Sequence, residues 1–370
     1  MQGFLSCPFC AYEEGLSRNP RVCPRCGVPL RWQWEGRAFS PGELSGRGVW
    51  RYRPLLPAVE PVSLGEGGTP LLEAHPMDGI EAKILWKLEF LNPTGSFKDR
   101  GAAVMVAVLK ALGAKRLADD SSGNAGAALS AYAARAGLSA KIFVPASASG
   151  PKLQQIAAYG AELVRVPGPR PAAAEAIRRA CAEDPDLVYA SHNLSPYFVA
   201  GLATLAFEIA EESGWKSPDH VVVPVGGGGL LLGLFYGFLL LAELGWVEKI
   251  PRIHAVQAEA CAPVAQALKE GLSLPKEVEL GETVAEGVRI PRPERGREIL
   301  AAVRTSGGQG LSVSDEEILQ ARRELARDGL YVEPTGAVAP AALAKLWEMG
   351  AVRSGEVVVV PLTGFGLKTG

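Results

Sequence analysis

Lys98 ends the run Asn-Pro-Thr-Gly-Ser-Phe-Lys at residues 92–98. Asp99 and Arg100 follow it into an Ala-, Val- and Leu-rich stretch, 99–112, that reads as a helix. A lysine must lose its proton to attack a carbonyl carbon, and the positive end of a helix dipole helps it do so. The position alone also suits a solvated charge. Two further runs add chemistry. Gly226, Gly227, Gly228 and Gly229 follow an apolar β-branched strand and precede a helix. Such a run bares backbone N–H groups at a helix start, an anion cradle suited to a phosphate ester. A tight turn would need fewer glycines. No Lys-Ser or Lys-Thr follows, which disfavours a Walker-type nucleotide site, and a dinucleotide fingerprint is poorly matched. Ser121, Ser122 and Gly123, ahead of Asn124 and Ala125, offer hydroxyls and N–H groups that suit a carboxylate, or an ordinary helix cap.

Cys7, Cys10, Cys23 and Cys26 form two C-x-x-C pairs with twelve residues between them. Each pair presents two thiolates from one knuckle, and four thiolates make the tetrahedral set that zinc prefers. Iron would use the same ligands, and redox-active or merely reduced cysteines are the alternative. Four protein ligands leave no open position, so the site is structural. Cys181 and Cys261 read as small core residues.

These groups need elements to carry them. Apolar strand candidates at 83–87, 140–144, 162–166, 220–225, 253–257 and 356–361 alternate with helix candidates at 99–112, 125–136, 152–159, 171–181 and 200–212. Continuous apolar strands between helices indicate parallel sheets buried on both faces. The expected architecture is α/β, two doubly wound domains with mostly parallel sheets plus an amino-terminal zinc-ribbon-like module. Ligands in such sheets sit where strands end and helices begin. Residues 38–66, rich in Gly, Pro and Trp, read as a connecting arm.

The chain has 370 residues, 48% of them hydrophobic, and a formal net charge of −2. Nothing there points to nucleic acid or membrane as the main partner. The most apolar stretch, 230–244, is shorter than the roughly 20 residues that span a bilayer, so it reads as a buried helix. No signal peptide is apparent, and six cysteines are too few for a disulfide scaffold, so a cytoplasmic protein is expected.

Together these runs resemble the fold type II pyridoxal-phosphate (PLP) enzymes, the tryptophan-synthase-β-like family, from about Gly65 onward. Gly65-Glu66-Gly67-Gly68-Thr69-Pro70-Leu71, Lys87, Glu89 and the 92–101 run carry the likeness. It implies that Lys98 holds PLP, Phe97 packs against the ring, Asn124 bonds the ring 3′-oxygen, Gly226 to Gly229 hold the phosphate, and Thr363 faces the pyridine nitrogen. Ser121, Ser122, Gly123 and Ala125 would hold a substrate carboxylate. A hydroxyl at the pyridine nitrogen favours chemistry at Cβ and Cγ over transamination. The likeness implies domains at 1–35 (metal module), 36–108 with 188–370 (large PLP domain) and 109–187 (small domain), and a homodimer acting on a small amino-acid substrate.

Within the family the chain resembles the threonine synthases most, which make threonine and phosphate from O-phosphohomoserine and water. Glu333-Pro334-Thr335 and Ala285-Glu286-Gly287 resemble the threonine/serine dehydratases instead. A threonine synthase needs a second anion site, and the family's Arg ahead of Gly201 is absent. Arg289, Arg292, Lys368 or His192 are the candidates to replace it. A cysteate-type β-replacement and a non-catalytic PLP or amino-acid sensor are the other readings.

Overall fold

The computed structural model describes residues 3–17, 22–168 and 170–369. The chain divides into two compact units, Met1–Gly68 with Asn92–Leu202 and Lys368–Gly370, and Thr69–Leu91 with Ala203–Leu367. The sequence suggests boundaries at 35, 108 and 187; the compact units part at 68, 91, 202 and 367.

Strands run in chain order β1 Gly3–Ser6, β2 Glu13–Glu14, β3 Arg31–Trp34, β4 Leu71–Glu73, β5 Lys83–Lys87, β6 Arg116–Asp119, β7 Ser139–Pro145, β8 Glu162–Val166, β9 Leu187–Tyr189, β10 His220–Pro224, β11 Arg252–Ala258, β12 Gly310–Val313 and β13 Val357–Pro361. The helices that matter here are α1 Lys98–Ala111, α2 Asn124–Ala136, α3 Pro151–Ala158, α4 Arg170–Glu183, α5 Pro196–Glu212, α6 Gly229–Glu243, α7 Pro263–Lys269 and α8 Gly296–Ser306.

The first unit holds a three-stranded antiparallel sheet, order β2-β1-β3, and a four-stranded parallel sheet, order β8-β7-β6-β9. The chain runs outward from β6 through β7 to β8, then returns to place β9 on the other side of β6. The order therefore reverses between β6 and β9, and the crevice beyond their carboxyl ends is where α/β sheets bind ligands. Residues 101–109 of α1 are buried without interruption. Each such Val or Leu contributes roughly 1.5–3 kcal/mol by leaving water. Leu5, Cys7, Cys23 and Leu30 join the same buried cluster as α1 and α2. The cysteine module thus shares a core with its unit.

The second unit holds a six-stranded sheet, order β12-β11-β10-β13-β5-β4. All pairings are parallel except β4 with β5. Here the order reverses between β10 and β13. Helix α6 is the long apolar stretch of the sequence, with Leu231, Leu232, Leu234, Phe238 and Leu241 fully buried. No helix among the described residues is long and apolar enough to cross a membrane.

Helix α5 starts four residues earlier than the apolar pattern suggests. Pro196 occupies its first turn, and Ser195 Oγ accepts from Phe198 N at 3.3 Å, as a helix cap does.

Candidate active site

In the first unit, the 92–98 run folds as a tight turn that delivers Lys98 to the first position of α1. Gly95 has φ +83, which only glycine adopts without strain, and its N–H donates to Asn92 O. The fully buried Asp99 carboxylate reaches back to accept from Thr94 N at 2.6 Å and from Thr94 Oγ1. Burial pushes Asp99 up to about 7, against the pull of those two donors. Gln155 Nε2 and Lys368 Nζ both donate to Thr94 O, at 3.0 and 2.6 Å. The turn is therefore fixed from three sides before any ligand arrives.

Lys98 Nζ stands 4.6 Å from the Phe97 ring centre and 5.7 Å from that of Phe198. Phe198 sits tightly there. A β-carbon on Gly101 would come within 2.7 Å of its ring, and one on Gly201 within 2.2 Å of Arg100 O. The small residues let α1 and α5 approach backbone to backbone.

The Ser121 to Gly123 loop leaves β6 and caps α2. Ser121 Oγ accepts from Gly123 N at 3.3 Å. A β-carbon on Gly126 would meet Ser121 O at 2.0 Å, so the loop folds onto the helix only because residue 126 is glycine. Asn124 is the first residue of α2 and Ala125, next to it, is buried.

The second unit carries the other predicted residues at its own order reversal. Gly226 to Gly229 lead from β10 into α6. Gly228 has φ +85, and a β-carbon there would lie 2.2 Å from Ile299 of α8. One on Gly226 would lie 2.8 Å from Gly287 O. Two of the four glycines are thus demanded by backbone shape and close packing, with the α6 amino terminus directly behind them. Thr363 follows β13. It is 1% exposed, and its Oγ1 has no hydrogen-bond partner among the described residues. A buried hydroxyl without a partner costs stability, so the fold alone does not explain this one. Glu333 stands against Gly364: its N–H donates to Gly364 O, and a β-carbon on Gly364 would strike its carboxylate.

The four candidates for an extra anion contact part company. His192 is taken by Asp119, with Nδ1 3.0 Å from Oδ2. Lys368 is turned to Thr94 O. Arg289 follows the Glu286–Val288 turn beside Gly226, and its Nε has no partner among the described residues. Arg292 is exposed.

Sequence reasoning missed three features. Phe198 is one. The His192–Asp119 pair is another; its available signal was two adjacent acids, Asp119 and Asp120, directly after Leu117 and Ala118. The third is a buried network in the second unit. There Lys87 Nζ reaches Glu208 and Glu212, each at 2.7 Å, and Thr69 Oγ1 donates to Glu89 at 2.6 Å.

In the amino-terminal module, the sulfur atoms of Cys7, Cys10, Cys23 and Cys26 all lie within 4.8 Å of one another, in reach of one ion. Cys7 N donates to Tyr12 O and Cys23 N to Val28 O, closing each knuckle. Gly27, at φ +71, turns the second.

Residues 62–364 match the family described as pyridoxal-phosphate dependent enzyme. A threonine synthase of Methanosarcina acetivorans is 39% identical over 375 residues, covering 98% of this chain and 92% of the relative. A threonine synthase of Methanocaldococcus jannaschii is 37% identical over 330 residues, covering 87% and 80%. Among solved structures, a T.th. threonine deaminase superposes with a TM-score of 0.66 at 32% identity, over 80% of this chain and 92% of that one. Maize serine racemase shares the fold, with a TM-score of 0.70 at 23% identity over 80% and 88%. The α/β fold thus has its counterpart in known structures, and the chain belongs to the pyridoxal-phosphate dependent enzyme family.

Proposed function

We propose that this PLP-dependent lyase is a threonine synthase, converting O-phosphohomoserine and water to L-threonine and phosphate. The observation that carries the reading is the near full-length similarity to threonine synthases. The residues present suit the cofactor. Thr363 Oγ1 is a buried hydroxyl free to donate to a ring nitrogen, and the Gly226 to Gly229 backbone can approach a phosphate closely because no β-carbon stands in the way.

When bound, PLP supplies an aldehyde for amines and an electron-withdrawing ring that acidifies the substrate Cα–H. Lys98 is the residue that holds it. The Lys98 amine would also be placed to carry the Cα proton. Phe97 would pack on the ring and Asn124 would bond its 3′-oxygen. Thr363 donates a hydrogen bond without drawing a proton onto the ring nitrogen, as a carboxylate would. Ser121, Ser122, Gly123 and Ala125 hold the substrate carboxylate by N–H and hydroxyl donors. Across the reaction the Cγ–O bond to phosphate and one Cβ–H bond break, Cγ gains a proton to become the methyl group, and the oxygen of water joins Cβ.

A second reading, threonine or serine dehydratase, is favoured by Phe198. Phe198 puts an aromatic ring 5.7 Å from Lys98 Nζ, and a dehydratase needs no second anion site. Incubation with O-phosphohomoserine, L-threonine and L-serine in turn separates the two. Phosphate and threonine from the first substrate support the synthase; 2-oxo acid from the others supports the dehydratase and overturns it.

We read the four cysteines as a structural zinc site and the enzyme as a cytoplasmic homodimer. Elemental analysis with one zinc per chain and light scattering at twice the chain mass are the expected results.

A further inference from the structure

Asp119 and His192 stand at the carboxyl ends of β6 and β9, where the order of the four-stranded sheet reverses. Asp119 is fully buried and His192 is 8% exposed. His192 Nδ1 lies 3.0 and 3.3 Å from the two carboxylate oxygens, so Nδ1–H donates to the ionised carboxylate. The Phe198 ring covers both this pair and Lys98. It meets the His192 ring edge-on with centres 6.1 Å apart, and Lys98 Nζ lies 5.7 Å from its centre. The other charged groups around the pair are Asp120, which accepts from Tyr189 Oη at 2.9 Å, and Arg170 at the start of α4.

We propose that Asp119, held in place by His192, is the counter-charge that sets how tightly the Lys98 amine keeps its proton. His192 is a positioning residue that acts through Asp119. The reasoning is electrostatic. A carboxylate in a dry site favours the ammonium form of a lysine that its field reaches, and here Lys98 and the Asp119–His192 pair share the Phe198 ring. Burial pushes Asp119 up to about 7, a rise that the hydrogen bonds of Asp120 and the charges of Arg170 and Lys98 oppose. The counter-charge is therefore present above neutrality and fades below it. Burial, followed by the Lys98 charge, holds His192 well below its usual range, so the ring serves as a neutral N–H donor. Without that donor the buried carboxylate would bind a proton and its charge would vanish.

The proposal rests on Lys98 being the cofactor lysine. Its test is the rate at which the full chain, stripped of PLP, captures added PLP across a pH series, followed by the gain in visible absorbance. Capture needs the free amine, so the rate rises with pH and its midpoint reports Lys98. Asp119→Asn is expected to lower that midpoint by about one unit, making capture about tenfold faster at a fixed pH below it. His192→Leu should lower it likewise, while His192→Asn, which keeps a side-chain N–H within reach of Asp119, should return it toward that of the unaltered protein. If Asp119→Asn fails to fold, the two His192 variants decide alone. Midpoints that coincide in all proteins would overturn the proposal and leave the role of Lys98 standing. No capture by the unaltered protein would overturn both.

Discussion

The two order reversals in this molecule are built from different materials. In the first unit the crevice beyond β6 and β9 is lined by charge: Asp119, Asp120 and His192, with Lys98 close enough to bias both Asp119 and His192. In the second unit the crevice beyond β10 and β13 presents Gly226 to Gly229, a helix amino terminus and the Thr363 hydroxyl, none of which titrates near neutrality. Under the proposed function the contrast amounts to a division of labour. Proton traffic belongs to the first unit, where protonation states can be tuned. Holding an anion and a ring nitrogen belongs to the second, where backbone N–H groups and a hydroxyl keep their character at any working pH.

The greatest loss should come from the first unit. Lys98→Ala should cut phosphate release from O-phosphohomoserine by on the order of 10⁴-fold or more, because no other group there can replace the amine. A loss below tenfold would undo the division. Next comes the cradle. Gly228→Ala forces a β-carbon into Ile299 at φ +85. The left-handed conformation and the overpacking together should cost about 2–4 kcal/mol, read as a lower urea midpoint, with weaker PLP binding.

The second unit does titrate, but at the opposite end of its sheet. Gln309 N donates to His254 Nδ1, so His254 Nε2–H donates to His220 Nδ1, and His220 Nε2–H to Glu356. Both rings are neutral in this chain of bonds. Burial, together with the repulsion that a protonated His220 would exert, lowers His254 to about 3. A histidine depressed in the folded state contributes stability that is complete above the unfolded value of about 6.5 and is lost as pH falls toward the folded one. Thermal melts should therefore show His254 costing up to about 1.4 kcal/mol per pH unit across that window. His254→Gln should flatten the slope; an unchanged slope would remove the histidine chain from the account.

A milder change probes the neutral crevice. Thr363→Val removes a hydroxyl that bonds nothing among the described residues. Without PLP the variant should be as stable as the parent or more so, by up to about 1 kcal/mol. With PLP it should turn over more slowly. A marked loss of stability without PLP would mean the hydroxyl serves the fold.

The same contrast governs what was legible in the sequence. The glycine cradle could be read because backbone demands leave a compositional mark: four glycines between an apolar strand and an apolar helix. The cysteine knuckles could be read because spacing alone puts four sulfurs together. The lysine turn was visible in the Asn-Pro-Thr-Gly run. The Asp119–His192 pair was not, because its members are 73 residues apart and meet only because β9 returns to lie beside β6. Lys87 with Glu208 and Glu212 is hidden for the same reason, 121 and 125 residues apart. The three-stranded cysteine sheet also escaped, since β2 has only two residues and no periodicity to detect.

Everything proposed for the first unit depends on Lys98 being the residue that carries PLP. Borohydride reduction of the purified, PLP-loaded enzyme, followed by digestion and mass spectrometry, is the decisive test. One pyridoxyl group per chain, on the peptide that contains Lys98, is the expected result. A pyridoxyl group on any other lysine, or none with full visible absorbance before reduction, would contradict it.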